Sequence, residues 1–217
     1  MLFLLAFGSG IWLAGQQIEN ARWVASGVPL ARKWAGATDM RIGLIAGHSG
    51  NDSGAICPDG LREVDITEDV AQRLARRLRR HGFQVDVLQE FDERLFAYRA
   101  DVLLSIHVDS CIDATGFKLA RSASSAIPAR EDALIRCLYE SYEQITGLPR
   151  HEETITHDMT EYHAFRTIHP QTPAAIIEIG FMGGDRELLT GDPERVAYAL
   201  DEGLRCFLLP DEATPAP

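Results

Sequence analysis

The chain predicts an α/β fold of three layers, α/β/α, around a central, mostly parallel and twisted sheet. Three observations carry this. Apolar runs of strand length stand at residues 41–46, 101–106 and 174–179, continuous as in strands covered on both faces. Helical patterns separate the strands, and such alternation favours parallel connections. The length, 217 residues, suits one domain with a sizeable core.

Each element has a local reason. Residues 63–81 form a helix in which Ile66, Val70, Leu74 and Leu78 recur every fourth residue and make one apolar stripe. Its last turn holds Arg76, Arg77, Arg79 and Arg80 before Gly82. Cations suit a helix C-terminus and glycine a helix stop, so these arginines read as a solvated helix end. Residues 83–88 alternate as a strand, residues 93–99 make a short helical turn, and residues 116–120 form an extended piece. Residues 128–146 are helical, with Pro128 in the first turn and Gly147 beyond the end. Residues 151–173 are irregular and polar. Asp192 and Pro193 supply an N-cap and a first-turn proline for a helix running to about Phe207.

The termini differ from this body. Residues 1–15, MLFLLAFGSGIWLAG, carry no charge. They are short for a bilayer span of about 20 residues and fit an export-signal core of roughly 7 to 15. The expected organisation is a signal or membrane anchor with a linker over 1–39, a catalytic domain over 40–209, and a disordered tail over 210–217. The charge balance, 21 basic against 32 acidic side chains, disfavours nucleic acid as a partner. Cys137 and Cys206 fall in helical patterns and read as small core residues. Cys57 and Cys111 lie on loops; a disulfide between them would need an oxidising compartment and is not the expectation.

The chemistry concentrates around RIGLIAGHSGNDSGAICPDGLRE, residues 41–63. A strand ends at Gly47-His48, a glycine-rich loop follows, and Glu63 opens a helix. His107 ends the third strand. Open α/β sheets gather their sites at strand carboxyl ends, so His48, Glu63 and His107 can share one rim. Two imidazoles and a carboxylate suit Zn²⁺, one per chain, with a fourth position left for water. Glu178 interrupts the apolar run Ile176-Ile177-Glu178-Ile179. A charge there needs a compensating partner; a metal-bound water would supply one, with Glu178 as the general base that takes its proton. Of His151, His157, His163 and His169, spaced by six residues, only His163, beside Tyr162 and Phe165, is a candidate for the cleft.

In order, Gly47-His48-Ser49-Gly50, Gly60-Leu61-Arg62-Glu63, Ser105-Ile106-His107 and Glu178-Ile179-Gly180-Phe181 resemble the signatures of the zinc-dependent N-acetylmuramoyl-L-alanine amidases, over residues 41–208. The resemblance implies a single-domain cell-wall hydrolase that cuts between N-acetylmuramic acid and L-alanine. His48, Glu63 and His107 would be its zinc ligands and Glu178 its catalytic glutamate. It further implies peptidoglycan as the partner, action outside the cytoplasm, and a monomer. The chain departs from the family pattern with Ile45-Ala46 in place of Asp-Pro, Ser49 in place of Gly, and Val108-Asp109 after the second histidine. None removes a ligand. The alternatives are a non-catalytic wall-binding module on the same fold, or a zinc peptidase acting on the stem peptide.

Overall fold

The structure, a computed structural model, describes residues 39–209. The expected signal or anchor at 1–15 and the tail at 210–217 lie outside the described residues. Among the described residues no helix is long and apolar enough to cross a membrane.

Five strands form one sheet: β1 (Arg41–Ala46), β2 (Gln84–Leu88), β3 (Val102–Asp109), β4 (Lys118–Ala120) and β5 (Ala174–Phe181), in the order β2-β1-β3-β5-β4. All neighbours are parallel except β4, which runs antiparallel to β5 at the edge. After β1 the chain crosses to β2 on one side and then returns to β3 on the other. The sheet therefore reverses its winding between β1 and β3, the place where open α/β sheets bind ligands beyond the strand carboxyl ends.

Strand parity assigns the two faces. Ile42, Leu44 and Ala46 of β1, Leu104 and Ile106 of β3, and Ala175, Ile177 and Ile179 of β5 all enter the larger core. Three long helices cover that face: α1 (Glu63–Arg80), α2 (Pro128–Thr146) and α5 (Pro193–Leu208). Each contributes its buried stripe, such as Val70, Leu74 and Leu78 from α1 and Val196, Leu200 and Leu204 from α5. Ile45, Leu103, Ala174 and Ile176 point the other way, into a smaller core with Leu95, Tyr98, Met159, Tyr162, Ala164 and Ile168. That layer is thin. It consists of a helical turn (Glu93–Leu95) and two short helices, α3 (His157–Thr160) and α4 (His163–Thr167). The stretch read as wholly irregular thus contains α3 and α4; their lengths, 4 and 5 residues, are too short to leave a periodic signature.

Two local readings are corrected. Residue His107 lies inside β3, which continues to Asp109, because pairing with β5 extends through His107 and Glu178 and a bulge follows before Asp109 pairs with Phe181. All four cysteines of the described chain are paired, Cys57 with Cys111 and Cys137 with Cys206. The latter two were expected to be thiols packed in helices. They do sit in α2 and α5, but those helices pack against each other and bring the two Cα atoms to 5.7 Å. The arginines at the end of α1 are partly engaged. Arg77 and His81 reach the fully buried Asp201 of α5, and Arg79 donates to the Val85 carbonyl.

Candidate metal and catalytic site

His48 lies two residues past β1, in the left-handed backbone region at φ 65°. A non-glycine residue held there is strained, and three contacts keep it in place. The Gly47 amide donates to the Ile106 carbonyl of β3, the Thr67 hydroxyl donates to the Gly47 carbonyl, and the His48 amide donates to Glu90 Oε2 at 2.8 Å. In this turn the imidazole Nδ1 sits 2.6 Å from Asp52 and its Nε2 3.2 Å from Glu63 Oε2.

Glu63 opens α1 and is 5% exposed. Its Oε2 accepts the Ala55 amide at 3.0 Å and its Oε1 accepts the Val108 amide at 3.0 Å. Oε1 also lies 3.2 Å from His107 Nδ1. The three expected ligands, His48, Glu63 and His107, thus meet, with one donor atom from each inside a 4.8 Å span. Glycine packing closes the cluster. A Cβ on Gly54, at φ 61°, would stand 2.5 Å from Glu63 Oε2 and 2.7 Å from the His48 ring, and one on Gly47 would stand 2.6 Å from the His107 ring.

Glu178 pairs with His107 across β3 and β5, and Lys118 of β4 pairs with Glu178 on the other side. The three side chains form a row on the thin-layer face of the sheet. The carboxyl of Glu178 reaches inward, and its Oε2 is buried without a hydrogen-bond partner. The Lys118 ammonium is held by Asp109 and by Thr154 Oγ1.

The electrostatics follow from burial opposed by pairing. Burial raises the pKa of Glu63, but hydrogen bonds from His107 and His48 outweigh it and bring the group down to about 2. Burial disfavours charge on His107, yet Glu63 and Glu90 raise it to about 10. Hydrogen bonding to Glu63 likewise raises His48. Burial pushes Glu178 up to about 7, against the pull of His107. A cluster that charges its own imidazoles is one in which a divalent cation can take the place of the protons. The donor set of two imidazoles and one carboxylate fits such an ion.

Two residues beside this cluster escaped the sequence reading. Glu90, just past β2, is 5% exposed and faces both histidines. Tyr162 donates to it at 2.7 Å. His163, the one histidine of its series placed near the cleft, reaches the same carboxylate at 2.8 Å. His151 binds Thr154, His157 pairs weakly with Asp158 and His169 accepts the Gln171 amide, all outside the cluster. Glu90 follows a strand as His48 does, but β2 alternates polar and apolar residues, so a further polar group past its end did not stand out.

The fold and cluster together define an α/β domain with a candidate metal site at the strand carboxyl ends, and the sequence match makes the family specific. Residues 42–204 match the N-acetylmuramoyl-L-alanine amidase family, and the chain belongs to it. The curated N-acetylmuramoyl-L-alanine amidase AmiC of Neisseria meningitidis is 27% identical over 156 residues, which are 64% of this chain and 37% of that protein. The chain therefore spans little more than a third of that relative. Among solved structures, AmiC2 of Nostoc punctiforme superposes with a TM-score of 0.64 at 23% identity, covering 80% of this chain and 99% of that one. The amidase Ami1 of Mycobacterium smegmatis gives 0.62 at 20% identity, covering 79% and 98%. These similarities establish the shared fold.

Gly54→Ala tests how closely the cluster is packed. The left-handed backbone and the clash with Glu63 should destabilise the protein by more than about 1 kcal/mol and push the Glu63 carboxylate aside. Metal content after dialysis and the unfolding midpoint would both fall; unchanged values would mean that the loop relaxes freely around a side chain.

Proposed function

We propose that the chain hydrolyses the amide bond between N-acetylmuramic acid and L-alanine in peptidoglycan, with one zinc ion held by His48, Glu63 and His107. The supporting observation is the placement of Glu178, a half-buried side chain whose buried Oε2 has no hydrogen-bond partner, directly across the strand pair from His107, in a chain of the amidase family. Bound zinc would polarise the lactyl carbonyl and acidify water, bringing its pKa toward about 7. Glu178 takes the proton from the attacking water and passes it to the nitrogen of L-alanine as the carbon–nitrogen bond breaks. A group whose apolar surroundings raise its pKa toward neutrality suits both halves of that transfer. Asp52 orients His48 through Nδ1, and the Ala55 and Val108 amides fix the Glu63 carboxylate.

Digestion of purified peptidoglycan followed by mass spectrometry tests the reaction. The expected products are stem peptides with a free L-alanine amino terminus and intact glycan strands. Cuts within the stem peptide would make the chain a zinc peptidase, and absence of any cut would leave a wall-binding module.

Glu178→Gln separates chemistry from metal binding. Glutamine keeps the size and can accept a hydrogen bond from water, but it cannot take the proton. Zinc content and melting temperature should stay at the wild-type level while kcat drops roughly 10²–10⁴-fold. Full activity would exclude Glu178 as the base; loss of zinc would make it a ligand.

The substrate and the cysteine chemistry support action outside the cytoplasm. Both described disulfides persist in oxidising compartments, and the uncharged run at residues 1–15 is the segment that would direct export. Deleting residues 1–15 should retain the protein in the cytoplasm on cell fractionation; unchanged export would refute that role.

A further inference from the structure

One buried carboxylate near the cluster is assigned neither to ligation nor to proton transfer. Glu90 lies two residues past β2, and both of its oxygens are occupied. Oε2 accepts the His48 amide at 2.8 Å and stands 3.4 Å from His107 Nε2. Oε1 accepts the Tyr162 hydroxyl at 2.7 Å and lies 2.8 Å from His163 Nε2. The Glu90 amide in turn donates to the Ser49 carbonyl at 3.0 Å. The loop carrying His48 is therefore clasped to the end of β2 at two points, one by backbone and one by side chain.

The second imidazole is approached from both edges. His107 Nδ1 turns toward Glu63 and Nε2 toward Glu90. Tyr162 stands with its ring edge-on to His107, centroids 5.7 Å apart, and accepts a hydrogen bond from Ser105, two residues before His107 in β3. Phe91, 61% exposed, stacks on His163 at 4.2 Å and closes the outer side of the arrangement. Four donors from three separate segments thus converge on one carboxylate.

We propose that Glu90 is the positioning residue of the metal centre. It fixes the ring of His107, so that Nδ1 faces the metal while Nε2–H is directed at Glu90, and it holds the strained backbone of His48 in register. This rests on the metal reading above but not on which bond is cut. A carboxylate behind a ligating histidine sets its tautomer and orientation, and loss of such a partner typically costs 10–100-fold in metal affinity. Glutamine at this position keeps the volume but offers one acceptor oxygen. Because donors crowd both oxygens of Glu90, either orientation of the amide sets its NH₂ against donors.

The test compares zinc affinity of full-length wild type and Glu90→Gln by competition with a chromogenic chelator. The expected result is about 10–100-fold weaker binding in the variant, with one zinc per chain still reached at saturation. Equal affinity in the two proteins overturns the proposal, and failure to reach one zinc at saturation overturns it in favour of direct ligation. Absence of zinc binding in wild type would sink the metal reading itself, so the two failures are distinct. A second readout needs no variant. Nitrogen-15 NMR of zinc-loaded wild type should show His107 protonated at Nε2 and metal-bound at Nδ1; the opposite tautomer overturns the proposal even if Glu90→Gln fails to fold.

Discussion

The site depends on the satisfaction of a single buried carboxylate, that of Glu63. Removing a charge from water is unfavourable unless hydrogen bonds and opposite charges replace the lost solvation. Glu63 obtains them from the Ala55 amide, the Val108 amide and the imidazoles of His48 and His107. These partners belong to the loop after β1 and to β3, while Glu63 itself opens α1. The carboxylate therefore joins the first half of the sheet to the first helix. The short side chains of the intervening loop follow from the same demand, since Gly54 lies against the Glu63 oxygen and the His48 ring.

A second restraint reinforces this junction from the outside. The Cys57–Cys111 disulfide links the same loop to the segment just beyond β3, so both chain segments that carry the histidines are tethered on each side of Glu63. The other disulfide joins α2 to α5 within the layer of three long helices that supplies most of the apolar burial. The molecule thus separates its tasks. One face of the sheet is thickly covered and apolar. The other presents His107, Glu178 and Lys118 in a row beneath a thin layer of short helices.

That thin layer has a chemical consequence. Short segments such as α3 and α4 supply Tyr162 and His163 to the cluster while leaving His48 with about a quarter of its side chain exposed. Burial raises the proton affinity of both carboxyls, but only Glu63 has hydrogen bonds that outweigh it, so the two move apart: Glu63 down, Glu178 up.

The sequence by itself determined the order of strands and long helices, because apolar periodicity and capping residues are local properties that need no knowledge of neighbours. It also marked His48, Glu63, His107 and Glu178, each a polar anomaly at or within an apolar element. Tertiary structure alone decided which of these touch. The strand order β2-β1-β3-β5-β4 makes His107 and Glu178 cross-strand neighbours and carries the end of β2 to the His48 loop, so Glu90 became part of the site only through a pairing between residues some 40 positions apart. The Cys137–Cys206 link arose likewise: periodicity placed each cysteine in a helix, but only the packing of α2 on α5 brought the two together. Such contacts are set by how layers stack, and no window of neighbouring residues contains that information.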